Sequence, residues 1–217
     1  MTSENYESLT LHSGQSIFTW FKENWSKADV VVSIVLTIYL LVIVLPKSTL
    51  LFAILMLTPI YMLHEIEEYV FPGGFAQFMN KNIFKADPEN GPLTLNAVFW
   101  INVTAIWIIF PLYTLWAVFD ITQATAIAYI LILQAIIHLI LGIVGKRLFN
   151  PGMITAWLIH VPWATWTIWL LVQAKVVTNP FWNFDLLIAL LIIFLALPVL
   201  GLLLVVRYRR RQRLELQ

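Results

Sequence analysis

Six runs of about 20 apolar residues, each long enough to cross the hydrocarbon core of a bilayer, constrain this chain more than any other feature. They fall at residues 29–46, 50–71, 94–118, 124–145, 153–174 and 185–206. Only 12% of the 217 residues are charged, where soluble domains carry about 25%. The expected fold is therefore an all-α polytopic membrane protein, a six-helix transmembrane bundle. Most connections are brief, so successive spans should pack as antiparallel neighbours.

Polar segments flank the spans. Residues 1–28 are polar and then amphipathic: Ile17, Phe18, Trp20, Phe21 and Trp25 alternate with Lys22, Glu23 and Lys27. This pattern predicts an N-terminal interfacial amphipathic helix along the headgroups, with His12 in a solvated loop before it. Residues 207–217 form a basic tail, read as a cytoplasmic anchor that meets anionic lipid. The longest connection, 72–92, contains FAQFMNKNIF, which predicts a short interfacial helix.

Six spans place both termini on one side, and the cations say which. Lys22, Lys27, Lys81, Lys85, Lys146, Arg147, Arg207, Arg209, Arg210, Arg211 and Arg213 share that side. Only Lys47 and Lys175 lie opposite, and together these are all 13 Lys and Arg residues. The excess of cations assigns both termini to the cytoplasm, with the plasma membrane of a prokaryote as the expected location. The first residues lack a basic start, apolar core and small-residue cleavage site, so no secreted form is expected.

Within this apolar background, His64, Glu65, Glu67 and Glu68 occupy five positions of the second span. Ionisable groups inside a span are expensive and mark functional sites by default. Helical spacing puts His64, Glu67 and Glu68 on one face, with Glu65 and Glu68 also neighbours. Three ionised carboxylates that close repel one another, so either some carry protons or a cation lies among them. His138 in span four and His160 in span five fall at a similar depth from the cytoplasmic side, as do Asn96 and Asn102 in span three.

These positions define the expected site. His64, Glu67, Glu68, His138 and His160 are the candidate metal ligands; Glu65, Glu67 and Glu68 are the candidate catalytic groups. Tyr61, Asn96, Asn102 and Gln134 are expected to orient ligands or cross-link helices. Each histidine also has a plainer use: His138 as a helix-to-helix hydrogen bond, and His160 as a ring buried by Trp157, Trp163 and Trp166. Gln134, His138, Gly142 and Gly145 form a stripe of polar and small residues that would let a neighbouring helix approach. Pro59 should bend span two near Tyr61 and His64.

The chain has no cysteine, which removes disulfides, thiolate metal sites and a cysteine nucleophile. Its net charge of +1, with cations confined to clusters, argues against a nucleic-acid partner.

The motif His64-Glu65-Ile66-Glu67-Glu68 resembles the signature of the HXXEE family of integral membrane proteins, through His64, Glu67 and Glu68. His138, the Asn150-Pro151-Gly152 turn and Thr155 are also similar to features of that family, and the likeness runs from about residue 50 to 175. The resemblance implies a membrane bundle and an enzymatic role, without naming a reaction.

Three chemistries compete. The first is a membrane metalloenzyme holding one or two divalent ions (zinc, iron or manganese) and acting on a lipid or prenyl-type substrate from the inner leaflet. Four histidines are too few for the desaturase type of site, which favours hydrolysis or isomerisation over oxygen chemistry. The second is a metal-free acid–base enzyme resembling intramembrane glutamate proteases, from which it departs by having no arginine between Tyr69 and Phe75. The third is a cation or proton transporter, which the nearly charge-free outer halves of the spans disfavour. Residue pattern alone fixes neither the substrate nor the oligomeric state.

Overall fold

The computed structural model describes residues 16–215, and all regular structure among them is helical. Six helices are long and apolar enough to cross a membrane. They are α1 (Ile17–Val44), α2 (Thr49–Tyr69), α4 (Leu95–Trp116), α5 (Thr125–Val144), α6 (Met153–Gln173) and α7 (Phe184–Glu215). A short helix, α3 (residues 75–83), lies in the long connection where the sequence places it.

Helix starts follow local chemistry. Ser16, Ser48, Thr94 and Asn183 each accept a backbone N–H from the first turn of α1, α2, α4 and α7, satisfying a donor that has no helical partner. Two ends differ from expectation. The amphipathic stretch at 17–28 does not form a separate helix but runs without a break into the first span, because no proline or glycine interrupts it. Likewise, the described part of the basic tail continues α7 to Glu215.

Prolines shape the interiors. The residues just before Pro46, Pro111, Pro162 and Pro198 each donate to the carbonyl five positions back: Leu45 to Leu40, Phe110 to Ala105, Val161 to Ala156 and Leu197 to Ile192. A proline ring clashes with the carbonyl one turn earlier, and widening that turn makes room for it. Pro59 acts differently. The helix is interrupted at Met56, about one turn before Pro59, and runs unbroken from Leu57 past Tyr61 and His64 to Tyr69.

The bundle is organised around α2, whose most apolar stretch is 67% buried against 17% for α1 and 11% for α7. Helix α1 runs alongside α2, α6 packs on its first half, and α5 sits between α6 and α7. Leu57, Ile60, Ile106, Leu131, Ala164 and Ile168 are core residues drawn from α2, α4, α5 and α6. Burial of such side chains contributes about 1.5–3 kcal/mol each when the alternative is water. Polar cross-links add direction: Thr58 and Thr114 hydroxyls meet at 3.0 Å between α2 and α4, and Trp163 Nε1 donates to the Ala53 carbonyl at 3.0 Å.

The long connection is tied down by one buried side chain. Asn80 donates to the carbonyls of Pro88 and Leu93 and accepts from the Leu93 amide. Gly142 and Gly145 do receive close neighbours, a turn at the first and the short helix α3 at the second. A β-carbon at Gly142 would lie 2.9 Å from the Arg147 carbonyl oxygen, and one at Gly145 would lie 3.0 Å from the Phe78 ring. The returning 146–150 turn and α3 fill that groove.

Candidate metal centre

Each α-helical residue advances the side chain by about 100°, so His64, Glu68 and Tyr61 share an arc of about 60° on α2. Glu65 and Tyr69 lie to one side of that arc and Glu67 to the other. All four motif residues are buried, with His64 fully enclosed and Glu68 2% exposed. Charged groups in such surroundings require compensation from neighbours.

Three ligand atoms converge. His64 Nε2 and His138 Nε2 stand 3.2 Å apart, and Glu68 Oε1 lies 3.5 Å from the first and 3.3 Å from the second. Among the described residues this is the group of His and acidic side chains that could hold a metal ion. Zinc bonds of 2.0–2.2 Å in tetrahedral geometry put neighbouring ligand atoms about 3.3 Å apart. The observed triangle therefore has the edges of a tetrahedral metal site with its fourth corner unassigned.

Hydrogen bonds on the far side of each ring fix where the imidazole protons lie. The Thr155 hydroxyl has only acceptors to donate to, Glu67 Oε2 at 2.6 Å and the Gly152 carbonyl at 3.2 Å. Its oxygen must therefore accept from His64 Nδ1, 2.9 Å away. Asn150 Nδ2 donates to the His138 carbonyl at 2.9 Å, which leaves Asn150 Oδ1 to accept from His138 Nδ1 at 2.6 Å. Both rings thus turn Nδ1 toward these partners and Nε2 toward Glu68. Glu68 Oε1 correspondingly makes no hydrogen bond.

A proton on either ring would bridge two of these atoms, whereas a divalent ion could bond to all three. The hydrogen bonds to Nδ1 are the usual means of orienting metal-bound histidines and raising their basicity.

The Asn150-Pro151-Gly152 turn closes over this triangle. Gly152 has φ +92°, and a β-carbon there would lie 2.5 Å from His138 Cε1, 2.7 Å from His64 Cε1 and 2.9 Å from Glu68 Cγ. No side chain fits. Helix α6 begins immediately after Gly152 without a capping side chain of its own. Glu67 takes that role from α2, accepting from the amides of Ile154 at 3.1 Å and Thr155 at 2.7 Å. A carboxylate at a helix N-terminus is favourably placed against the exposed N–H groups and the helix dipole.

The structure thus brings together His64, Glu68 and His138, while Glu67, expected as a ligand, has both oxygens committed to α6 and to Thr155. His160 is adjacent but outside the triangle: its ring centre lies 4.6 Å from that of His64 and stacks on Tyr61 at 5.2 Å. Tyr61, not the tryptophans, is its ring partner, and Trp163 packs instead on Phe52 and Trp166. Neither nitrogen of His160 completes a hydrogen bond, although the Ile60 backbone lies beside it. Gln134 is half-buried one turn before His138.

Asn96 is exposed and Asn102 half-buried, where it donates to the Val98 carbonyl and meets Tyr69. Six residues apart on a helix, the two amides point in widely different directions, so only one can face inward. Glu65 is buried outside the triangle and interacts electrostatically with Glu68 and with Asp29 of α1, a fully buried acid that stands at the first position of the first apolar run and was not singled out there. Its signal is a lone acid at the mouth of an otherwise uncharged stretch. The supporting roles of Thr155 and Asn150 entered the sequence reading only through the family resemblance.

No curated protein and no solved structure matches this chain. The family model described as a protein of unknown function with an HXXEE motif matches residues 55–167, which covers most of α2, all of α3, α4 and α5, and most of α6, together with His64, Glu68 and His138. The chain belongs to that HXXEE family.

Proposed function

We propose that this protein is a membrane-embedded, metal-dependent enzyme whose ion is held by His64, Glu68 and His138. One observation carries the reading: two imidazole Nε2 atoms and a carboxylate oxygen meet at 3.2–3.5 Å, with both rings held in that orientation from behind. Six helices long and apolar enough to cross a membrane, with eleven of the 13 cations on the termini's side, support a polytopic chain with both ends in the cytoplasm. The centre then lies in the cytoplasmic half of the bundle.

Two histidines and one carboxylate suit zinc, iron or manganese and leave a coordination position for water. A divalent ion there would supply an activated water or polarise a substrate oxygen. The chain's own groups do the rest. Thr155 and Asn150 hold the two imidazoles, Glu67 ties α2 to the start of α6, and Gly152 lets the backbone approach the rings. His160, beside His64 and stacked on Tyr61, is the neighbouring side chain placed to meet a substrate's polar group. A bundle this apolar favours a lipid or prenyl-type substrate, and the donor set favours hydrolysis or isomerisation.

The test is to incubate purified protein with vesicles of bacterial polar lipids and with a prenyl ester, then compare products by mass spectrometry. A product that forms with the wild type, disappears with chelator and is absent with Glu68→Gln is expected. Identical product profiles for wild type, chelated protein and Glu68→Gln would contradict the proposal.

A further inference from the structure

Away from the triangle, the 84–92 segment and the end of α7 enclose a cavity of about 350 Å3. Its α7 wall is Val205, Tyr208, Arg209 and Gln212, positions three and four apart that share one face of the helix. The other wall carries Phe84, Lys85 and Asp87. Local chemistry holds that wall in shape. Lys85 follows α3 with a left-handed backbone (φ +54°), and the next amide, of Ala86, donates to the Asn80 carbonyl at 2.9 Å. Asp87 Oδ1 accepts from the amides of Glu89 and Asn90, and the Asn80 side chain donates to the carbonyls of Pro88 and Leu93. The Phe84 ring lies on α7 where Gly201 has no side chain: a β-carbon there would stand 3.7 Å from it.

Two cations line this cavity without an acidic partner. Among the described residues neither Lys85 nor Arg209 forms an ion pair, and the Lys85 ammonium turns back to the Asn82 carbonyl at 2.6 Å. Asp87 is the acid in the lining, and its Oδ1 is taken by its own loop. The cavity also sits where α7 changes character: the apolar run ends at 206 and Arg207 begins the basic stretch. On its apolar side α7 bears a groove lined by Ile188, Leu191, Ile192, Leu195, Ala196 and Val199. Leu202, 62% exposed, stands about one turn from both Val199 and Val205, between groove and cavity on the same helix. A free phosphate would need the cations alone. A cationic recess followed along one helix by an exposed apolar strip matches an amphiphile with an anionic head.

We propose that this cavity is a headgroup site for an anionic phospholipid, with the phosphodiester held by Lys85 and Arg209 and an acyl chain lying along Leu202 toward the α7 groove. An arginine fork meets phosphate oxygens in pairs, and a basic pocket beside a span at the membrane surface is a recurrent form of lipid recognition. Gln212 and Tyr208, joined by a 2.7 Å hydrogen bond, supply further polar atoms for headgroup hydroxyls. The site rests on α7 being a membrane span and is independent of whether the triangle holds an ion. It differs from diffuse attraction between the basic tail and a charged bilayer, because Arg210, Arg211 and Arg213 are not part of its lining.

The experiment titrates detergent-purified full-length protein with phosphatidylglycerol or phosphatidylethanolamine and counts bound lipid by native mass spectrometry, with glycerol phosphate as a soluble competitor. The expected result is one phosphatidylglycerol, held more tightly than phosphatidylethanolamine and not displaced by glycerol phosphate. Lys85→Gly with Arg209→Gln should weaken it about 10–30-fold, whereas Arg210→Gln with Arg211→Gln, an equal change of charge outside the cavity, should weaken it less than about threefold. Glycine suits the left-handed backbone at position 85, so the first pair removes the amine without strain. Arg209→Gln alone is the second variant should that pair not give a monodisperse protein. Equal weakening by both pairs would mean attraction to the tail at large and overturns the site, as does equal binding of the two lipids. Displacement by glycerol phosphate would assign the cavity to a soluble anion and overturns the lipid.

Discussion

His64 Nε2 and His138 Nε2 face each other at 3.2 Å although each ring donates its proton from the opposite nitrogen, to Thr155 and to Asn150. Residues 74 positions apart thereby meet at one point, with Glu68 completing a group that could hold a metal ion.

Thr155→Val removes the acceptor behind His64 without touching a ligand. Loss of such a supporting contact lowers metal affinity by about 10–100-fold. Competition with a chromophoric chelator measures it. An unchanged affinity would mean that the Thr155 contact does not set the orientation of His64.

Gly152→Ala meets two obstacles at once. Left-handed backbone costs about 1–2 kcal/mol for a residue with a β-carbon, and that carbon would overlap both imidazoles and Glu68. The expected outcome is a lower melting temperature and loss of the additional stabilisation that metal confers on the wild type. Thermal unfolding in detergent, with and without metal, reads both.

Glu67→Gln and Glu68→Gln should separate cleanly, although the two residues are adjacent in the motif. Glu67 accepts two amides and a hydroxyl at the start of α6. Its substitution lowers stability by about 1–3 kcal/mol, as expected for hydrogen bonds to a charged group, while the ion is retained. Glu68→Gln loses the ion and leaves the metal-free protein folded. Metal content and urea unfolding of the two variants distinguish these outcomes.

Most of this was legible in the amino-acid order. Five of the six apolar runs begin within one residue of their helices, because long uninterrupted apolar stretches with flanking polar residues mark helix ends directly. The acidic motif and His138 were likewise marked by their expense. Periodicity puts His64, Glu67 and Glu68 on one face, yet it cannot say that Glu67 meets the start of α6 while Glu68 meets His138. That division depends on where the Asn150-Pro151-Gly152 turn delivers the next helix. Asp29 escaped notice because a single acid at the edge of an apolar run resembles an ordinary span end until α1 is packed against α2. The break at Met56 also follows from packing, since the sequence shows the proline but not which turn yields to it.

Metal content of the purified protein tests the central claim most directly. After loading with Zn2+ and removal of excess, the wild type should retain ion in the histidine triangle. His64→Ala, Glu68→Ala and His138→Ala should each lose it, while His12→Ala, altered outside the described residues, should not. Retention unchanged across the three triangle variants, or a wild type that binds no ion, would contradict the account.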